Sequence, residues 1–322
     1  MKKVKSLWLV GSLLAVVFSG YLLKGALHQG EHSSSPRQIK IGLALATLQE
    51  ERWKRDRDYL AERIEQLGGV LLVQNANVDQ QIQLEQVEYL LSRKIDLLII
   101  VPQDLNKSAT AVQMAKKAGV KVISYDRLIH NADLDLYISF DSVRVGELVA
   151  ESLIKKAPAG DYVIINGAPT DNNCYMLNQG YKKKLDGHLK TGQIRIIDEQ
   201  WAEDWMPGQA YRYMHSLLEQ DVKFDAVIAG NDGLAGGVIE ALAEWRLAGK
   251  VLVTGHDADL SACQRIVEGT QLMTVYKPIR KLAYRAAELA MQLVEGKEIK
   301  TNRGPIVNGK YEVPQEIIEP LS

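Results

Sequence analysis

From Ile39 onward, short apolar runs alternate with segments whose apolar residues recur every three or four positions. The first kind reads as strand and the second as amphipathic helix. Ile39–Ala46 is the first expected strand. A helix over about 50–67 follows, with Trp53, Leu60, Ile64 and Leu67 on one stripe, and Gly68-Gly69 stops it. Strands are then expected at Val70–Gln74, Asp96–Val101, Lys121–Tyr125 and Leu136–Phe140. The helices between them include one at 107–118, and another follows at 142–156. The grammar restarts with strands at Tyr162–Asn166, Gln193–Asp198, Asp225–Ala229, Val251–Gly255 and Leu272–Tyr276. Helices at about 174–190, 207–220, 234–248 and 278–295 alternate with them, and a last strand or two follow Pro305. Strands joined by helical crossovers form parallel sheets. Two such runs, broken near 140–160, predict an α/β protein of two doubly wound lobes with a cleft between them.

The first residues differ in kind. Lys2, Lys3 and Lys5 precede an uncharged, mainly apolar run from Leu7 to Leu23. This reads as an export signal with its amino end inside. Ser19-Gly20 is a weak cleavage candidate, and no cysteine stands in or just after the run for lipid attachment. Seventeen residues of helix cover roughly 25 Å, slightly short of a bilayer core of about 30 Å. Gly25, Ala26 and Leu27 could extend the run. A cleaved signal peptide and a retained anchor both place the rest of the chain outside the cytoplasm, at the membrane. The expected organisation is a signal or anchor at 1–27 and a polar linker at 28–38. An amino-terminal lobe is assigned 39–140 plus 278–304, and a carboxy-terminal lobe 141–277 plus 305–322.

Composition narrows the function. The 322 residues are 46% hydrophobic and 25% charged, with a formal net charge of -1. That balance argues against a nucleic-acid partner, which needs a basic excess. Cys174 and Cys263 stand far apart, without metal-ligand spacing. No phosphate loop, calcium loop or nucleophile motif occurs, so no cofactor, metal or catalytic residue is expected. His256 beside Asp257 reads as a loop histidine near a ligand or exposed to solvent, not as a catalytic dyad.

What remains is a set of polar and aromatic motifs placed just after expected strands, where ligands bind in parallel α/β proteins. They are Glu51-Arg52-Trp53, Tyr125-Asp126-Arg127, Thr170-Asp171-Asn172-Asn173, Glu203-Asp204-Trp205, Gly230-Asn231-Asp232, His256-Asp257 and Tyr276-Lys277-Pro278. Aromatic faces suit the apolar C–H faces of sugars. Arg52, Asp126, Arg127, Asn173, Asn231, Asp257 and Lys277 supply the donors and acceptors that hydroxyls require. Taken singly, each has a plainer reading: Trp53 as a core residue, Asp141 and Asp232 as helix caps, and Gly236-Gly237 as close helix packing.

Glu51–Asp58, Tyr125–Arg127, Tyr137–Asp141, Asp171–Asn173, Asp257–Leu260 and Met273–Ile279 together resemble the periplasmic D-xylose-binding protein family, within the ribose/galactose-type sugar-binding proteins. The resemblance runs from about Ile39 to Pro320. It implies the type I periplasmic-binding-protein fold, two lobes joined by a three-crossover hinge, which is no enzyme and closes on one sugar, D-xylose or a similar pentose. It also implies a ligand-binding set of Arg52, Trp53, Asp126 and Arg127 from the amino-terminal lobe, with Asn173, Trp205, Asn231, Asp257 and Lys277 from the other lobe and hinge. Trp53 and Trp205 would form the stacking pair. Ala46-Thr47, where the family tends to be acidic, and His256, where it usually has Gln, depart from the pattern near the cleft. The membrane partner would be a sensor histidine kinase, slightly favoured by the anchor-like run, or the permease of an ABC-type importer. A sugar-responsive repressor would need a basic helix-turn-helix in place of the apolar run, and a hydrolase a close carboxylate pair with distinct roles.

Overall fold

The computed structural model describes residues 37–321. The expected signal or anchor segment and most of the linker lie outside the described residues. Among the described residues, no helix is long and apolar enough to cross a membrane.

Residues 39–321 carry two sheets. The first runs, in spatial order, β11 (Arg303–Asn308), β12 (Tyr311–Ile318), β5 (Leu136–Phe140), β4 (Lys121–Tyr125), β3 (Leu97–Ile100), β1 (Lys40–Leu45) and β2 (Val70–Asn75). The β11–β12 pair is antiparallel and every other pair is parallel. Parallel strands buried on both faces should be apolar throughout, and Leu97, Leu98, Ile99 and Ile100 all have no exposed surface. Alternate residues feed two layers. Ile41, Leu43 and Ile99 pack under α1 (Glu51–Gln66) and α9 (Ile279–Val294), with Leu60, Ile64, Leu282 and Leu289. Ala44, Leu98 and Ile100 pack with Leu90 of α2 (Gln80–Ser92) and Val112 of α3 (Ala109–Lys117). Gly68 ends α1 at φ 82°, a left-handed turn that glycine adopts without a Cβ clash.

The second sheet is wholly parallel, in the order β10 (Met273–Val275), β9 (Leu252–His256), β8 (Ala226–Ala229), β6 (Gly160–Asn166) and β7 (Ile194–Trp201). Its helices are α4 (Ser142–Lys156), α5 (Asn172–Lys190), α6 (Pro207–Glu219), α7 (Asp232–Glu244) and α8 (Leu260–Glu268). A Cβ on Gly237 would lie 2.2 Å from the Pro207 carbonyl oxygen, so α6 and α7 approach as closely as Gly236-Gly237 suggested.

One boundary is corrected. The stretch after Pro305 was expected in the carboxy-terminal lobe, yet β12 pairs with β5, Gln315 opposite Tyr137 and Ile318 opposite Phe140. Val313 and Ile317 bury their side chains in the first lobe's core, which fixes residues 303–318 there. The chain therefore crosses between lobes three times: at Asp141, at Lys277-Pro278, and beyond Ile318, where Leu321 and Tyr276 exchange backbone hydrogen bonds of 2.9 Å. The α8 helix was not expected. Its only buried residue is Ala262, and Leu260 and Val267 are exposed, so little of it is tied to the core.

Candidate binding cleft

The carboxyl ends of both sheets face one cleft, which holds about 400 Å³ free of atoms, its open mouth included. All nine residues expected from the sequence line it: Arg52, Trp53, Asp126, Arg127, Asn173, Trp205, Asn231, Asp257 and Lys277. Glu50, Asp171 and His256 line it as well. Asp171 and His256 stood inside recognised motifs without being assigned to the site. Glu50 carries no pattern signal beyond its place at the start of α1.

The amino-terminal lobe contributes a fixed cationic wall. Arg52 is 4% exposed. Its Nε donates to Asp56 Oδ2 at 3.3 Å and its Nη2 to Asp126 Oδ2 at 2.7 Å. Asp56 is itself held by the Tyr125 hydroxyl. Burial disfavours the Arg52 cation, but Asp126, Asp56 and Asp257 outweigh that and raise its pKa. For Asp126, burial pushes upward, and the charges of Arg52 and Lys277 overcome it, leaving the carboxyl below its ordinary value. The guanidinium carbons of Arg52 and Arg127 lie 4.2 and 5.2 Å from the Trp53 ring centroid, within cation–π range. The core and ligand readings of Trp53 both apply: it is 2% exposed, packs with Leu60 and Ile64, and lines the cleft.

Asp171, from the other lobe, accepts from Asn173 N through Oδ1 and from Trp205 Nε1 through Oδ2 at 3.2 Å. Arg127 Nε lies 2.7 Å from that same Oδ2, an ion pair without hydrogen-bond alignment. A Cβ on Gly167 would fall 2.4 Å from the Trp205 ring, so only glycine admits the indole there. Asn231 caps α7 by accepting from Leu234 N at 2.8 Å, and Asp232, the expected cap, instead accepts from Gln271 and Thr274. Asp141 does cap α4, accepting from Arg144 N at 2.9 Å. Lys277 Nζ lies 2.7 Å from Asp257 Oδ1. Burial pushes Asp257 up, and the Lys277 charge, with that of Arg52, reverses this, holding it far below the ordinary carboxylate range. Ala46 is buried in the core under α1, and Thr47 accepts from Gln49 N. Neither is among the residues that line the cleft.

Backbone strain gathers here. Asp126, Asp204, Trp205 and Asp257 have φ of 65°, 51°, 57° and 111°. Such values in non-glycine residues persist where surrounding structure imposes them, and they cluster at ligand sites. Direct bonds also cross from lobe to lobe. Asn173 Nδ2 donates to Asp126 Oδ1 at 3.0 Å, Gln103 Nε2 to Asp204 Oδ1 at 2.8 Å and Leu105 N to Thr170 O at 2.8 Å, while His130 Nε2 meets Asn172 Oδ1 at 2.8 Å. The lobes are closed on each other.

Among the described residues, seven buried side-chain atoms around the cleft make no aligned hydrogen bond: Glu50 Oε2, Trp53 Nε1, Asn173 Oδ1, both His256 ring nitrogens, and the ion-paired Arg127 Nε and Asp257 Oδ1. Buried polar atoms are ordinarily paired. This group mixes donors with acceptors, the pairing that a polyhydroxyl ligand offers.

A model of the periplasmic binding protein domain matches residues 41–298. The chain belongs to the periplasmic binding protein family. It is 42% identical to the D-xylose-binding periplasmic protein of Haemophilus influenzae over 93% of this chain and 90% of that protein. It is also 42% identical to the protein of the same description from Escherichia coli, over 88% and 86%. Among solved structures, a carbohydrate transporter solute binding protein from Chloroflexus aurantiacus in complex with D-glucose superposes with a TM-score of 0.81 at 29% identity, covering 88% of this chain and 92% of that one. An ABC transporter solute binding protein from Clostridium phytofermentans with bound β-D-glucose gives 0.80 at 27% identity, over 88% and 93%. The chain is a binding protein and not an enzyme.

Proposed function

We propose that this protein is an extracytoplasmic receptor that closes on one monosaccharide, D-xylose or a similar pentose, and presents the closed form to a membrane partner. The observation that carries this reading is a closed cleft lined by Trp53 and Trp205 in which Glu50 Oε2, Trp53 Nε1, Asn173 Oδ1 and His256 Nε2 are buried with no partner among the described residues. Hydroxyls alternate as donors and acceptors, so one sugar ring could pair with both kinds while its C–H face lies on an indole. The 42% identity to proteins described as D-xylose-binding supports the choice of pentose. Sugar that contacts both lobes binds the closed state better and shifts the population toward it.

Two partners fit. The described roles of the transporter solute-binding structures support an ABC permease. The lysine-flanked apolar run, without a lipid cysteine, favours an anchored receptor that a sensor histidine kinase reads. Mass measurement of the mature membrane-bound protein distinguishes a retained from a removed leader, and co-purification of permease or kinase identifies the partner. The receptor reading is tested by titration calorimetry with D-xylose, for wild type and Trp205→Ala. Binding by wild type and none by the folded variant is expected, and near-normal affinity in the variant would overturn the assigned site.

A further inference from the structure

His256 closes strand β9 at its carboxyl end and is 3% exposed. Its ring packs edge-on against Trp205, centroids 6.3 Å apart with planes at 79°. Nδ1 faces Asp257 Oδ1 at 3.3 Å, and Nε2 has no hydrogen-bond partner among the described residues. A histidine used only for packing would place its nitrogens in solvent or on partners; this one lines the cleft with Nε2 buried and unpaired.

The charges around it set its chemistry. Burial first, and then the Lys277 charge, hold the imidazole below the ordinary histidine pKa, so the ring is neutral. A neutral imidazole has one N–H and one lone pair. The nearby Asp257 carboxylate favours the hydrogen on Nδ1, which leaves Nε2 as an uncharged acceptor.

We infer that His256 is a specificity-determining residue, whose Nε2 accepts a hydrogen bond from a hydroxyl of the monosaccharide lying beside Trp205. This rests on the sugar-receptor reading and deepens it. A site built to pair with a particular hydroxyl rejects the analogue that lacks it, because its own buried group is then left unpaired. His256 thereby selects among sugars that the charged residues alone would hold with little distinction.

The test is calorimetry of wild type, His256→Gln and His256→Leu with D-xylose and its monodeoxy analogues. It is joined by ¹⁵N NMR of the histidine rings in wild type with and without D-xylose. Wild type should discriminate against one monodeoxy analogue by roughly tenfold to a hundredfold, and His256→Leu should lose that discrimination. His256→Gln, which still offers an acceptor, should keep most of it. The Nε2 resonance of His256 should shift on sugar addition in a pattern typical of an accepted hydrogen bond. Unchanged discrimination in His256→Leu, or an Nε2 signal that does not move while D-xylose binds, would overturn the inference and leave the receptor reading standing. Absence of D-xylose binding by wild type would instead remove the receptor reading, and this inference with it.

Discussion

Asn173 Nδ2 donates to the Oδ1 of Asp126 at 3.0 Å and to its carbonyl oxygen at 3.2 Å. The first residue lies in the first turn of α5 in the carboxy-terminal lobe and the second follows β4 in the other, so one amide spans the cleft. The remaining carboxylate oxygen of Asp126 takes Arg52 at 2.7 Å. Asp126 is thus paired from both lobes in the closed state, and opening removes its Asn173 contacts. Closure is coupled to the charge at the centre of the site.

Asn173→Asp should reverse that coupling. A second carboxylate 3 Å from Asp126 in a buried site would repel it, and like charges in such surroundings are strongly disfavoured. Small-angle scattering without sugar should show a larger radius of gyration than wild type. Affinity for D-xylose should fall about a hundredfold or more, since the sugar must then drive closure itself. An unchanged radius and affinity would show that this amide does not govern closure.

Gly167→Ala should displace Trp205. The added methyl would sit 2.4 Å from the ring, and the indole belongs to a short turn, Glu203–Trp205. The expected result is native circular dichroism with roughly twofold to tenfold weaker sugar binding, since stacked aromatic contacts are worth about 0.5–1.5 kcal/mol beyond their buried area. Full affinity would mean that the ring position is not critical.

Most of the fold and site was legible because it follows local rules. The apolar runs around Ile41 and Leu97 announce strands, and the cleft-lining residues follow strand ends, as the topology of a parallel sheet arranges. Trp53 was ambiguous because a helix-start residue on the apolar stripe serves core and cleft at once. Residues 305–318 were misplaced because the pairing of β12 with β5 is a contact across about 180 positions, and no periodicity encodes it. Asp232 looked like a cap by type, yet Asn231 takes that place. Glu50 was missed since its importance comes from burial beside Arg127, a tertiary fact.

Asp56→Ala should test how firmly Arg52 is seated. Asp56 has no exposed surface and holds both Arg52 and the Tyr125 hydroxyl. Its removal leaves a buried hydroxyl unpaired and the guanidinium with one fewer counter-charge. Breaking a buried pair typically costs about 3–5 kcal/mol, and the retained Asp126 contact places this case near about 3. Denaturant unfolding should register that loss. Tyr125→Phe, which spares the ion pair, should cost about 1–2 kcal/mol. Equal losses in the two variants would show that the hydroxyl, not the charge, dominates.

The last prediction concerns pH. Burial, and then the negative charge of Asp257, push the Asp232 carboxyl from 3.8 up to about 7, although bonds from Gln271, Thr274 and Asp259 N favour its ionised form. The folded state therefore binds this proton more tightly than the unfolded chain. Its contribution is complete below about 4 and is lost as pH rises through about 7. Asp56 and Asp259, both raised to about 6, act in the same sense over a lower range. His256 acts oppositely. Its folded pKa lies below the ordinary 6.5, so the unfolded chain takes up the proton first, and stability falls on acidification below 6.5. The two senses compete at mildly acid pH, and Asp232 prevails above it. The sugar-free protein should lose Tm between pH 6.5 and 8, and Asp232→Asn should show a flatter profile over that interval in scanning calorimetry. A wild-type Tm that holds or rises across it would mean that Asp232 ionises near its ordinary value, with the three donors outweighing burial.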